Sequence, residues 1–256
     1  MNPEIIRSRL LGGPSLLTVV LILIWFSPLV SQVADPEDYL EELVVKMDTF
    51  QPGDPGIFVV FHGHSVPSGY YTGGRVQPFQ AYPYMVWKTL SGQYPPAAIH
   101  IITTSIGGEN AERGAERFAG DVLPQRPDVI LIDYALNDRA IGLERAEAAW
   151  RGMIEAALAE EMKILLLTPT PDTREDLNDP ETPLAQHSKQ IRELAAEYKV
   201  GLVDSYAAFA DRIESDPDLA LGELMVQANH PNEAGHRIAA ETILPWFLRP
   251  SNEATE

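Results

Sequence analysis

The chain has 256 residues, enough for one sizeable domain with its own core. A hydrophobic share of 45% and a charged share of 22% exclude a collagen-like or wholly disordered chain, and the absence of cysteine excludes disulfides and a lipid-carrying thiol. With 19 Lys+Arg against 37 Asp+Glu the net charge is −18, so the surface repels phosphate backbones and nucleic acid is a poor partner.

The first 34 residues differ from the rest. Arg7 and Arg9 precede SLLTVVLILIWFSPLV, a run without charge from Ser15 to Val30. A basic start followed by an apolar stretch of about 15 residues is the pattern of an export signal, and it is short of the ~20 residues a spanning helix needs. Gln32 stands where a small residue is expected for cleavage after Ala34. Two readings lead, a cleaved signal and an uncleaved anchor that associates residues 15–30 with a membrane; a buried N-terminal helix of the domain is the plainer alternative. Both leading readings export the rest of the chain, to a periplasmic or extracellular location. Residues 35–250 are then the folded domain, and 251–256 a disordered tail.

Asp35-Pro36 is an N-cap followed by a first-turn proline, and it opens a polar helix expected to reach about Phe50, where QPGDPG breaks it. Then the pattern alternates. Apolar runs at 57–62, 98–103, 129–134 and 162–168, with a weaker one at 201–204, read as strands buried on both faces. Residues 142–160 carry Leu143, Ala146, Trp150, Met153, Ile154 and Ala157 at helical spacing, and 181–198 and 233–248 are similar. Strand–helix alternation predicts an α/β fold, a parallel sheet of about five strands with helices on both faces. Such sheets place their sites in the loops at the carboxyl ends of strands.

Those loops carry chemistry. GHSVPSGY follows the first strand with Ser65, SIGGENAERG the second with Gly107-Gly108, and ALNDR the third with Asn137. QANHPNEAGH brings His230 near the C-terminus. A serine hydroxyl is a weak nucleophile until a base takes its proton, and histidine is the usual base near neutral pH. Fixed N–H donors stabilise the negative oxygen of a tetrahedral intermediate, and a single donor is worth about 3–4 kcal/mol in a protease. Each residue also has a plainer reading. Ser65 fits turn chemistry, Gly107-Gly108 a loop turn, and His-Pro-Asn a helix cap. His62-Gly63-His64 admits a metal reading, since alternate strand residues point the same way, but His100, His187 and His236 have no convincing ligand spacing.

Taken together, the four blocks in this order resemble the SGNH/GDSL hydrolases, over about residues 56–248. Gly63-His64-Ser65-Val66-Pro67-Ser68-Gly69 is similar to the family's G-D-S-x-S-x-G turn, and Gly107-Gly108-Glu109-Asn110 to its second block. Ala135-Leu136-Asn137-Asp138 is similar to G-x-N-D, and Gln227-Ala228-Asn229-His230-Pro231-Asn232 to D-x-x-H-P-N. The resemblance implies a three-layer α/β/α sandwich with a flavodoxin-like parallel sheet. It implies Ser65 as nucleophile, His230 as base, Gly108 and Asn137 as oxyanion donors with the Ser65 N–H as a third, and no metal or organic cofactor. The substrate it implies is a small-molecule or polysaccharide ester.

Three residues depart from that pattern. His64 replaces an aspartate, and is expected to take over its structural work. Ala135 replaces a glycine. Gln227 stands where the family's triad aspartate would orient the histidine, and loss of that acid costs about 10⁴ in rate in a serine protease. Either a Ser65–His230 dyad suffices, or another carboxylate substitutes, with Asp204 and Glu109 as candidates by chain location. Tyr70, Tyr71, Tyr82 and Tyr84 crowd the segment after Ser65 and suit either a carbohydrate cleft or ordinary packing. The reading is an exported serine esterase that deacetylates a carbohydrate. Its alternatives are a membrane-anchored lipid or lysophospholipid esterase and a catalytically weakened glycan-binding module.

Overall fold

The computed structural model describes residues 32–249. The expected export segment, save residues 32–34, and the expected tail lie outside the described residues. Val33 and Ala34 pack against the domain cores, and the Ala34 N–H donates to the Val200 carbonyl at 3.2 Å. Among the described residues no helix is long and apolar enough to cross a membrane.

The elements follow in chain order. Helix α1 (Glu41–Asp48) leads into β1 (Ile57–Gly63), the single-turn α2 (Ser65–Ser68), α3 (Tyr82–Gln93) and β2 (Ile99–Thr103). Next come α4 (Ala111–Asp121), β3 (Val129–Asp133), the short α5 (Ala135–Asp138), α6 (Leu143–Ala159) and β4 (Lys163–Leu167). The chain continues through α7 (Pro183–Tyr198), β5 (Gly201–Val203), α8 (Ser205–Ser215), the strands β6 (Met225–Gln227) and β7 (His230–Pro231), and α9 (Glu233–Ile243). All five expected strands form one parallel sheet, ordered β2-β1-β3-β4-β5.

Strand alternation divides the apolar runs between two cores. Ile57, Val59, Phe61, Leu131 and Leu165 point to the layer of α1, α3 and α9. Val60, Ile130, Ile132, Ile164 and Leu166 point to the layer of α4, α6 and α7. A strand buried on both faces therefore needs an unbroken apolar run, which is what the sequence supplies.

Three boundaries differ from expectation. The first helix is regular only over Glu41–Asp48. The Asp35 carboxylate folds back on the Glu37 N–H at 3.0 Å, and residues 36–40 remain turns. The last helix stops at Ile243 and passes into a 3₁₀ turn at Leu244–Trp246, because Pro245 cannot donate to an α-helical ladder. Ser65 begins the one-turn helix α2, closed by Gly69 at φ +78°.

The strand order reverses direction at β1: the chain moves outward to β2, then returns past β1 to β3. Loops leaving β1 and β3 diverge at such a point and leave a crevice between them. Ser65 lies just after β1 and Asn137 just after β3, on those two loops.

Candidate active site

Ser65 follows Gly63 and His64 at the end of β1. Gly63 has to be a glycine, since a Cβ there would lie 2.5 Å from the Asp133 carbonyl of the neighbouring strand. His230 arrives from a different direction, on the antiparallel hairpin β6–β7. That hairpin is held over the β1 loop, with Gln227 Nε2 donating to the Tyr71 carbonyl (3.3 Å) and Thr72 Oγ1 to the Val226 carbonyl (3.4 Å). The two side chains meet: Ser65 Oγ is 2.8 Å from His230 Nε2.

The other ring nitrogen of His230 lies 3.0 Å from Asn229 Oδ1. An amide oxygen can only accept, so Nδ1 carries the proton and Nε2 offers its lone pair to the serine hydroxyl. Burial lowers the pKa of His230 below the usual histidine value, and any proton on His64 adds to that, while the Asp172 carboxylate pulls the other way. The imidazole is thus mostly neutral at pH 7, the state in which it can take a proton.

The predicted loops also carry candidate N–H donors. Among the described residues, the backbone N–H groups of Ser65, at the first position of α2, and of Gly108 have no hydrogen-bond partner. Gly108 sits at φ +79°, a left-handed conformation that glycine adopts without strain. Asn137 Nδ2 gives one hydrogen to the Glu109 carbonyl at 2.8 Å, which fixes the amide and leaves its second hydrogen unengaged by that bond. Asp138 ties the loops together, accepting from the Ala111 N–H at 2.7 Å and from Trp150 Nε1 at 2.8 Å. Burial raises its pKa to about 6 despite those donors. A serine, a neutral base and a set of fixed N–H donors are the parts that acyl transfer requires.

A family model for the GDSL-like lipase/acylhydrolase family matches residues 61–238. The chain belongs to that family. It is therefore a serine ester hydrolase of the SGNH type. An acetylxylan esterase of Geobacillus stearothermophilus is 25% identical over 167 residues, covering 60% of this chain and 75% of the relative. The crystal structure of Axe2, an acetylxylan esterase from that bacterium, matches with a TM-score of 0.64 at 22% identity, over 75% of this chain and 94% of that one. A two-domain esterase active on acetylated mannans matches with a TM-score of 0.69 at 19% identity, over 85% of this chain and 54% of that one. Both structural likenesses bear on the fold.

The departures from the family pattern can now be located. Gln227 is paired with His230 across the hairpin, but its side chain does not bond the imidazole; its amide faces the Tyr71 carbonyl and solvent. Neither carboxylate proposed as a substitute is bonded to the histidine. Asp204 caps α8 and pairs with Arg192 (2.6 Å) and Thr168 Oγ1 (2.9 Å). Glu109 is buried against Arg117 at 2.7 Å. The acid whose charge His230 feels is Asp172. That residue is buried and clamped by Arg139 (2.9 Å) and Arg174 Nε (2.8 Å), in a loop whose Thr173 N–H reaches the Ala228 carbonyl. Asn229, which contacts Nδ1 directly, was not singled out from the sequence. Its only signal there is an amide adjacent to the histidine.

His64 lies beneath the serine at 1% exposure. Its Nδ1 accepts the Val66 N–H (3.2 Å), and its Nε2 lies 3.3 Å from Asp133 Oδ1, close in charge terms but poorly aligned for a hydrogen bond. Tyr82 donates its hydroxyl to the other Asp133 oxygen at 2.8 Å, and the Tyr82 N–H reaches His236 Nδ1 at 3.4 Å. Burial pushes His236 down to about 4, assisted by His230. His62 is engaged as well, by Thr104 at Nδ1 (2.8 Å) and by the Gly114 carbonyl and Tyr134 hydroxyl at Nε2. The ring nitrogens of His62 and His64 thus face protein partners. Of the four tyrosines, Tyr82 is fully buried, while Tyr84 remains partly open to solvent. A larger cleft at the opposite end of the sheet, lined by Lys46, Arg126, Glu160 and Lys163, contains none of these residues.

Proposed function

We propose that this protein is an exported carbohydrate esterase that removes acetyl groups from a polysaccharide through an acyl-enzyme on Ser65. The observation that carries the assignment of residues is the 2.8 Å contact of Ser65 Oγ with the unprotonated face of His230. His230 Nε2 takes the hydroxyl proton as Oγ attacks the ester carbonyl. The carbonyl electrons move to oxygen, where the N–H groups of Ser65 and Gly108 and the free amide hydrogen of Asn137 receive the charge. Collapse expels the sugar alcohol, which takes the proton from His230, and leaves acetyl on Ser65. Water, deprotonated by the same imidazole, then releases acetate.

Asn229 orients the base in place of the family's acid. A neutral amide fixes the tautomer but does not add the charge that stabilises an imidazolium. The carbohydrate substrate is supported by the acetylxylan esterase relative. Export is supported by Arg7, Arg9 and the uncharged run from Ser15 to Val30, and N-terminal mass analysis of the cell-free protein checks it.

The test is acetate release from p-nitrophenyl acetate and from acetylated xylan and mannan, by wild type and Ser65→Ala. Release from the polymers that vanishes in Ser65→Ala is the expected result. Release that survives the substitution would remove Ser65 from the mechanism, and release from the small ester alone would remove the polysaccharide.

A further inference from the structure

A groove of about 330 Å³ lies against the segments that follow β1 and β2, within the usual range of small-ligand clefts, roughly 300–1,000 Å³. Its walls come from the loops that carry the proposed machinery. Ser68 lies three residues beyond Ser65, and Ser105 three residues before Gly108. The two loops are joined there, since Ser68 Oγ donates toward the His64 and Ser105 carbonyls at 3.0 and 3.1 Å.

The floor is aromatic. Phe79, on a 3₁₀ turn, meets Tyr84 edge to face with ring centres 5.0 Å apart, and Tyr84 meets Trp87 in the same way at 6.0 Å. Tyr84 and Trp87 are three residues apart on α3 and so share one helix face. Trp87 is fixed by its indole N–H, which donates to the Ile99 carbonyl on the edge strand at 2.9 Å. Covering that edge accounts for part of Trp87. It does not account for Phe79, which is 71% exposed and contributes little burial to the fold. Of the seven exposed large hydrophobic residues among those described, Val76, Phe79, Trp87 and Ile106 all lie on the segments around Ser65 and Gly108. Phe79 and Trp87 line the groove itself and are linked through Tyr84, a contiguous exposed apolar surface of the kind that marks a binding site.

The groove also has a charge signature. In a chain of net charge −18, every residue lining it is uncharged: prolines, aromatics, one isoleucine, serines and a threonine. Ring faces that receive C–H groups, fringed by hydroxyls, suit a neutral sugar chain and offer no charged partner to an anionic ligand.

We infer that the Phe79–Tyr84–Trp87 shelf is a glycan subsite that binds neutral pyranose units flanking the acetylated one. The inference rests on the carbohydrate reading above, and the experiment separates the two. Phe79→Ala/Tyr84→Ala removes two rings and leaves Ser65, His230, Gly108 and Asn137 in place. Circular dichroism and the melting temperature establish that the variant is folded.

Affinity electrophoresis through gels containing deacetylated xylan or mannan reads binding directly. The expected result is retardation of wild type and not of the variant. In turnover, kcat/KM for the acetylated polymer falls about tenfold, through KM, for the loss of two stacking rings, while p-nitrophenyl acetate turnover changes by less than about twofold. Glycan retardation that is equal in the two proteins, or absent from both, would overturn the subsite. So would light scattering that shows a wild-type dimer and a monomeric variant, since a second copy would then cover the groove. Retardation through the shelf by a protein that releases no acetate from polymer would support the subsite and reject the deacetylation reading.

Discussion

The floor beneath Ser65 and the rim above it both depart from the family pattern, and they are repaired differently. On the floor, His64 stands where the family has a carboxylate, and a carboxylate lies across from it on β3, Asp133, 3.3 Å from the imidazole and 3% exposed. On the rim, Gln227 stands where the family has its acid, and no carboxylate takes its place at Nδ1; an adjacent amide does. The difference follows from burial. An uncompensated group in the dry interior costs several kcal/mol, so a buried exchange has to be balanced at the same spot. The rim is half open to water, and a neutral neighbour suffices to hold a ring nitrogen there.

The largest effect expected on the rim is from His230→Ala. Removing the base should lower kcat for p-nitrophenyl acetate by about 10²–10⁴-fold, with the fold intact by circular dichroism. A loss under about fivefold would mean that the contact with Ser65 is incidental.

The floor is tested by His64→Asp, which restores the family's residue and yet should harm this protein. It places a second carboxylate against Asp133, near Asp138, whose pKa burial already raises to about 6. Denaturant unfolding should show a destabilisation of about 3–5 kcal/mol, the usual scale for a buried uncompensated charge. Adding Asp133→Asn should recover most of it, because Tyr82 can still donate to the amide oxygen. No recovery would mean that His64 and Asp133 do not form a unit.

A smaller effect separates amide from acid. His230 must be neutral to act, so activity rises with pH through its pKa, and burial places that limb below the usual histidine value. Asn229→Asp puts a negative charge beside Nδ1 and favours the imidazolium. The acid limb of kcat/KM should move to higher pH by about one unit or more. An unmoved limb would mean that residue 229 does not contact the titrating ring. The smallest effect belongs to Gln227→Ala, which loses one long, exposed bond to Tyr71 while the Thr72–Val226 tie remains, and should leave kcat/KM within about threefold.

The sheet was legible because strands buried on both faces are continuous apolar runs, and short runs such as 57–62 and 129–134 alternate with segments of helical spacing. The meeting of Ser65 with His230 was legible because loops at the strand ends of a parallel sheet are where such sites are built. The contacts of Asn229 and of Asp133 were not. Asn229 lies on a short hairpin whose pairing depends on the β1 loop beneath it, and Asp133 reads simply as the last residue of a strand. Its pairing with His64 comes from the β1–β3 register, which aligns Gly63 with Asp133 and which no local pattern encodes. Asp204 is the helix cap that its place before α8 suggests. Its second bond, to Arg192 on α7, already uses its charge.

The claim at the centre of this account is that an amide next to the histidine, and not the residue three positions before it, orients the base. The most direct measurement is kcat/KM for p-nitrophenyl acetate at pH 7 for Asn229→Ala and Gln227→Ala side by side with wild type. The account predicts a loss of about 10–100-fold for Asn229→Ala, part of the general-base contribution, and near wild-type activity for Gln227→Ala. A severe loss in Gln227→Ala with Asn229→Ala unaffected would contradict it, and would return the orienting role to the position where the family keeps its acid.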